Sequence, residues 1–415
     1  MPARQVEIRL LGCLVCAVLS FAVCVAAGSA AKQDQTNQQQ RPRKVGATPT
    51  PPTPNATPTP NQPQTNTPVE EVDEGDVVRV ETQLVAVPAV VTDRTGRPLA
   101  GLRAENFAVF EDGKPQRVTN FATTEAPFEI ALLLDTSGST RAELGLIREA
   151  ANAFISALRP GDRVGIVAFN NTARNGSPIA TVEVLSGLNS DRQALRTAIE
   201  SLGTSNGTPF YDGLGRVADQ VFRDPPREEV RGRRAVVALT DGVDSSSDSG
   251  YGDARAKLAR AGVACYFIQV STEDYVEDRL LKDCQDDGRL TLSAKQLERF
   301  RELFVPQGQK EDYQDFCRMG QFERMDISRQ LYNLARREMN EMARASGGKA
   351  FAAASVQEAR AAFAEVANEI GTQYSLGYYP ANKTRDGRFR QIKVELRGVK
   401  DANVRAREGY FAPKQ

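Results

Sequence analysis

From residue 128 to about 371, apolar side chains alternate between short continuous runs and helical spacing. That alternation predicts a doubly wound, mostly parallel α/β sheet with helices on both faces, a Rossmann-like arrangement. Residues 130–134 (Ile-Ala-Leu-Leu-Leu) form an unbroken apolar run, the mark of a strand covered on both sides. Leu144, Ile147, Ala151, Phe154, Ile155 and Leu158 then recur at helical spacing. Further buried strands are expected over 164–169, 235–239 and 263–270, with a short one over 182–185. The spacing predicts helices over 191–202, 209–222, 253–261 and 358–370. Asn170-Asn171-Thr172 reads as a loop.

The period changes to two on either side of this core. Residues 78–125 alternate through Val80, Thr82, Leu84, Phe107 and Val109, with Asp112-Gly113 as a two-residue hairpin turn. Residues 373–415 do the same through Ile392, Val394 and Leu396. The matched pattern predicts that both flanks join in one small antiparallel β-sandwich-like unit. Residues 272–345 interrupt the α/β alternation with a charge-dense stretch and helices over 294–304 and 328–345. A structured surface insertion and a partner-binding cap both fit that stretch.

The N-terminus adds two further segments. Arg4 and Arg9, an uncharged run over 10–27 and the small residues Ala26 to Ala30 make residues 1–30 an export signal. It is either cleaved after Ala27 or Ala30 or kept as a membrane anchor, so the chain is expected in the periplasm, on the cell surface or secreted. Residues 31–77 are Pro, Thr, Gln and Asn with almost no bulky apolar side chain, the composition of an extended tether.

Charge and composition narrow the chemistry. The 53 basic and 53 acidic residues cancel, leaving no field to recruit nucleic acid or an anionic membrane. Histidine is absent from all 415 residues, which excludes His-dependent triads and His-ligated zinc. Past the signal, Cys265, Cys284 and Cys317 remain; Cys265 falls in a buried strand, and Cys284 and Cys317 are expected to pair.

The run Asp135-Thr136-Ser137-Gly138-Ser139 lies directly after the strand over 130–134 and before the first helix. In an open α/β sheet, ligands collect at such a strand end, at a topological switch point. Asp135, Ser137 and Ser139 therefore offer three oxygens to one concave site. Thr208, opening a helix after Ser205-Asn206-Gly207, and Asp241, ending the strand over 235–239, offer two more. All five are hard oxygen donors, suited to Mg²⁺ with Mn²⁺ or Ca²⁺ as alternatives. The set carries two carboxylates only, so a bound ion keeps electrophilic character, and a partner's Asp or Glu carboxylate is its natural further ligand. Helix capping would explain the three hydroxyls but not aspartates at the ends of two strands. Asp212 reads as a first-turn helix charge, and Asp244 to Ser247 as a solvated rim.

These segments resemble the von Willebrand factor A family. Asp135, Ser137 and Ser139 match its Asp-x-Ser-x-Ser motif, Thr208 its threonine and Asp241 its second aspartate. The likeness implies a metal-ion-dependent adhesion site in a domain over 126–372, acting by binding rather than by catalysis. Phe107 to Lys114 and Tyr374 to Pro380 resemble the β flanks of bacterial proteins of this family. The expected function is metal-dependent capture of an acidic group on a protein partner. The alternatives are a structural cell-envelope protein without a metal-dependent ligand, and a Mg²⁺-dependent hydrolase.

Overall fold

The apolar run after Phe128 becomes β5 (Glu129–Leu134), the inner strand of a six-stranded sheet. The computed structural model describes residues 84–123, 126–138, 140, 143–230, 232–280, 292–313 and 316–414. The export segment, the tether, Val80, Thr82, Ser139 and Cys284 lie outside the described residues. Across the sheet run β10 (Lys349–Ala353), β9 (Ala264–Val270), β8 (Arg234–Thr240), β5, β6 (Arg163–Arg174) and β7 (Ser177–Asn189). Every neighbouring pair is parallel except β6 with β7. Because successive strand residues face opposite sides, Ile130, Leu132 and Leu134 pack beneath α1 (Leu144–Ala157) and α8 (Val356–Gly371). Ala131 and Leu133 pack on the other side against α3 (Phe210–Arg216) and its neighbours. The smaller α2 (Arg192–Glu200) covers the first face, and α4 (Tyr251–Arg260) the second.

Two features of this sheet differ from the sequence expectation. The short strand at 182–185 is the middle of a 13-residue edge strand. It pairs with β6 across Asn175-Gly176, whose φ values of 51° and 80° are those of a primed hairpin turn. Asn170-Asn171-Thr172 is therefore strand, in register with Thr181, Ala180 and Ile179. At an exposed edge, burial no longer imposes an apolar pattern, and the strand signal fades. The second difference is β10, whose Ala-rich sequence lacks any β-branched residue. Its entry depends on Gly348, where a Cβ would sit 1.9 Å from the Cys265 carbonyl oxygen.

The flanking segments interleave rather than stand as separate units. One sheet orders β13 (Ala402–Ala406), β1 (Val85–Asp93), β11 (Tyr374–Tyr378) and β4 (Val118–Ala122). The other orders β14 (Gly409–Phe411), β12 (Phe389–Leu396), β2 (Phe107–Glu111) and β3 (Lys114–Gln116). Each sheet thus takes strands from both ends of the described chain, and Val87, Phe107, Tyr374, Leu376 and Ile392 share one core. Within that core the Glu111 carboxylate is buried, and the hydroxyls of Tyr378 and Tyr410 donate to its Oε2 at 2.7 and 3.0 Å. Burial first, and the Glu111 charge with it, pushes both phenols up, so they stay protonated donors. Tyr378→Phe should cost about 1–3 kcal/mol, the desolvation penalty of a buried acceptor that loses a donor. A urea midpoint unchanged from wild type would show that the carboxylate does not depend on that phenol.

The charged insertion folds as a cap. It comprises α5 (Glu273–Leu280), α6 (Ala294–Phe304) and the first half of α7 (Gln321–Ser346). Leu280, Leu297, Phe300, Phe316, Ile327 and Leu331 give it a hydrophobic cluster of its own. The second half of α7 departs from the picture of a surface insertion: Ala335, Met339 and Met342 pack into the sheet's second face. Cys317 is disulfide-bonded, whereas Cys265 is a buried free thiol that burial pushes up to about 12.

Candidate metal centre

The chain leaves β5 toward β6 on one side of the sheet and returns to β8 on the other, so its switch point lies between β5 and β8. Those strands are parallel and in register, Leu134 opposite Leu239. Asp135 and Asp241, each just past one of these strands, therefore emerge at neighbouring carboxyl ends. Backbone pairing continues one step beyond the strand, with Asp135 N–H donating to the Leu239 carbonyl at 3.0 Å.

A backbone amide and a threonine hydroxyl are among the groups that hold each carboxylate, and the Ser137 side chain also bonds to Asp135. Asp135 Oδ1 accepts from Ser137 N–H at 2.9 Å, and its Oδ2 accepts from the Thr240 hydroxyl at 2.6 Å. Asp241 Oδ1 accepts from Val243 N–H at 3.0 Å, and its Oδ2 accepts from the Thr272 hydroxyl at 2.6 Å. Since the Thr272 proton is spent on Asp241, the Tyr332 hydroxyl, 2.7 Å away, donates to Thr272. Thr240, Thr272 and Tyr332 were not among the expected site residues. Thr240 adjoins Asp241, and Thr272 follows β9 at the same sheet edge, so the strand pattern held a signal for both. Tyr332 comes from the cap and had none.

Gly242 turns the chain away after Asp241 at φ 76°, and Met339 of α7 lies 2.4 Å from where its Cβ would stand. A larger residue would meet both strain and a collision there. Thr208 N–H donates to the Ser245 hydroxyl at 2.8 Å. Asp244 accepts from Tyr211 N–H at 3.2 Å and from Ser247. These residues are structural ties that seat α3 rather than a solvated rim. Asp212 likewise accepts from the backbone N–H groups of Asp248 and Ser249, at 2.8 and 2.9 Å, and so fastens the loop beyond Asp241 to α3.

Ser137, Thr208 and Asp241 line one cavity of about 180 Å³. Its opposite wall belongs to the cap: Val276, Leu280, Gln296, Leu331 and Tyr332. Lys295 pairs with Asp248 at 2.6 Å and reaches the Ser247 carbonyl, fastening α6 across the loop that follows Asp241. Arg299 of α6 binds Glu338 of α7 at 2.6 Å and lies 4.7 Å over the Tyr211 ring. Tyr211 in turn donates to Glu338 at 2.6 Å. The strand-end face is thus roofed by the insertion.

The electrostatics fit a cation. Asp135 is 1% exposed, and among the described residues no lysine or arginine forms an ion pair with it. Burial, then the charge of Asp241, pushes its carboxyl up to about 7. Two desolvated carboxylates that repel each other are relieved by a positive charge between them. Among the described residues no group of three or more His, Cys, Asp and Glu side chains gathers at one point. A bound ion would therefore draw its remaining oxygens from hydroxyls, backbone carbonyls and water. Ser139, outside the described residues, is the fifth expected donor.

Residues 129–303 match the von Willebrand factor type A domain family. No curated protein matches the chain. Among solved structures, proximal thread matrix protein 1 from the mussel byssus is 14% identical with a TM-score of 0.37, the match covering 68% of this chain and 50% of that one. The pilus adhesin SpaC from Lactobacillus rhamnosus GG, in its open conformation, is 13% identical with a TM-score of 0.35, covering 76% of this chain and 49% of that one. This chain thus spans about half the length of either protein. The vWF domain of the pilus tip protein Mfa5 from Porphyromonas gingivalis is 19% identical with a TM-score of 0.24, over 29% of this chain and 39% of that one. The family match ends inside α6, while the sheet runs on through β10 and α8. Residues 129–303, from β5 into α6, carry a von Willebrand factor type A domain.

Proposed function

We propose that this chain is an exported binding protein, not an enzyme, that holds one divalent cation and through it captures an acidic group on a protein partner. Asp135, Ser137, Ser139, Thr208 and Asp241 would hold the ion, Mg²⁺ first, with Mn²⁺ or Ca²⁺ able to replace it. The observation that carries this reading is that Asp135 and Asp241 end neighbouring strands at the switch point, where burial and then the Asp241 charge raise the Asp135 carboxyl. A bound cation would supply an electrophilic position for a carboxylate of the partner. Thr240 and Thr272 fix the rotamers of the two aspartates, so that little ordering remains to be done on binding. The cap forms one wall of the cavity that the partner's carboxylate would enter.

Export is supported by the pattern of residues 1–30. Among the described residues no helix is long and apolar enough to cross a membrane.

Titration calorimetry with Mg²⁺ tests the site. Wild type should bind, while Asp135→Ala and Asp241→Ala should give no heat and keep a cooperative unfolding transition. Capture of an Asp-bearing peptide should fall away in chelator. Equal Mg²⁺ affinity in the variants, or capture indifferent to chelator, would sink the reading. Turnover of a phosphate ester that Asp135→Ala abolished would replace it with a hydrolase.

A further inference from the structure

Away from the metal face, α4, the end of α7 and the C-terminal strands enclose a second cavity of about 390 Å³, more than twice the volume of the first. That volume is in the range of small-molecule pockets. Its walls are mainly apolar: Leu258, Val263, Met342 and Ala345 inside, Phe389 and Phe411 toward the mouth. The two phenylalanines meet edge to face at 5.4 Å, and Phe389 is half exposed.

Three charged side chains touching this cavity settle its sign. Arg255 pairs with Glu341 at 2.7 Å, and Glu408 pairs with Arg344 at 3.5 Å. Arg407 is left. It is 8% exposed, and all its hydrogen bonds go to backbone carbonyls. Its Nε donates to Gly409 at 2.8 Å; its terminal nitrogens reach Ala86 and Ala259 only at 3.4 and 3.3 Å. No carboxylate among the described residues forms an ion pair with it. Burial pushes the guanidinium down to about 10, so it keeps its charge at neutral pH. Its guanidinium also lies 5.9 Å over the Tyr410 ring, but a buried cation that lacks an anion, beside an apolar cavity, remains costly unless a ligand completes it.

We propose that this cavity binds a small amphiphilic monoanion, a carboxylate on an apolar chain or ring, with the head on Arg407 and the body between α4 and the Phe389–Phe411 pair. Guanidinium recognises carboxylate through paired donors, and the long bonds to Ala86 and Ala259 are the ones a carboxylate would displace. The site shares no side chain with the metal centre, so it stands or falls separately.

Displacement of anilinonaphthalene sulfonate from the full chain in chelator tests this, with decanoate and decanol as competitors. Decanoate should displace the dye at least tenfold more tightly than decanol. Arg407→Gln should weaken decanoate about tenfold, one lost charge-assisted contact, and leave decanol unchanged. Ala256→Phe, at the cavity wall on the α4 surface, should block both competitors with the melting temperature kept, which preserves the test if Arg407→Gln fails to fold. Asp135→Ala should bind decanoate as wild type does. Equal affinity for acid and alcohol, binding unaffected by Ala256→Phe, or no displacement at all would overturn the proposal.

Discussion

Glu129→Ala should cost this protein about 3–5 kcal/mol, the loss expected when one member of a buried ion cluster is removed and its partners stay behind. Glu129 opens β5 and is opposite Arg163 of β6 and Arg234 of β8 in the sheet register. Its two oxygens bind those arginines at 2.9 and 2.8 Å. Arg163 can turn to solvent, but Arg234 cannot. It is 4% exposed, packs over the Phe222 ring and donates its other nitrogens to the carbonyls of Phe222 and Asp224. Without Glu129 its charge has no counterion within the sheet. Urea unfolding of the variant against wild type measures the loss. A difference under about 0.5 kcal/mol would mean that solvent screens the cluster as it screens surface pairs.

Phe300→Ala should unfasten the cap while leaving the sheet intact. Phe300 is buried between Phe304 and Tyr313, both at 5.5 Å between ring centroids, at the centre of the cap's own cluster. Truncating a buried phenylalanine costs about 3–5 kcal/mol, and a cluster of this size has little stability to spare. Amide exchange should therefore speed up over α6 and the first half of α7, while β5 and β8 stay protected. Uniform loss of protection across both regions would show instead that cap and sheet unfold as one unit.

The core was legible because burial on both faces writes continuous apolar runs, and Glu129 to Leu134 is such a run. That Asp135 and Asp241 follow the ends of neighbouring strands was legible for a related reason. A strand end at a switch point is a place that topology alone identifies, and oxygen-bearing residues there stand out against apolar neighbours. The long edge hairpin through Asn175-Gly176 was not, because β7 is nowhere fully buried and the turn end of β6 is polar and exposed. Strand β10 was missed because alanine reads as helix former unless the sheet edge that receives it is known. The roof over the site was hardest to foresee. Tyr332 stands more than sixty positions beyond the neighbouring strand β9 in the fold's order of elements, and only the packing of α7 brings it to Thr272.

That helix has a mechanical consequence. At about 1.5 Å per residue, the 26 residues of α7 extend roughly 39 Å. No glycine or proline interrupts them between Gln321 and Ser346. The rod lays Leu331 and Tyr332 over the paired aspartates and sets Met342, Ala345 and Ser346 in the wall of the apolar cavity. Because one unbroken helix lines both chambers, a displacement along its whole length would reach the ceiling of the first and the side of the second together.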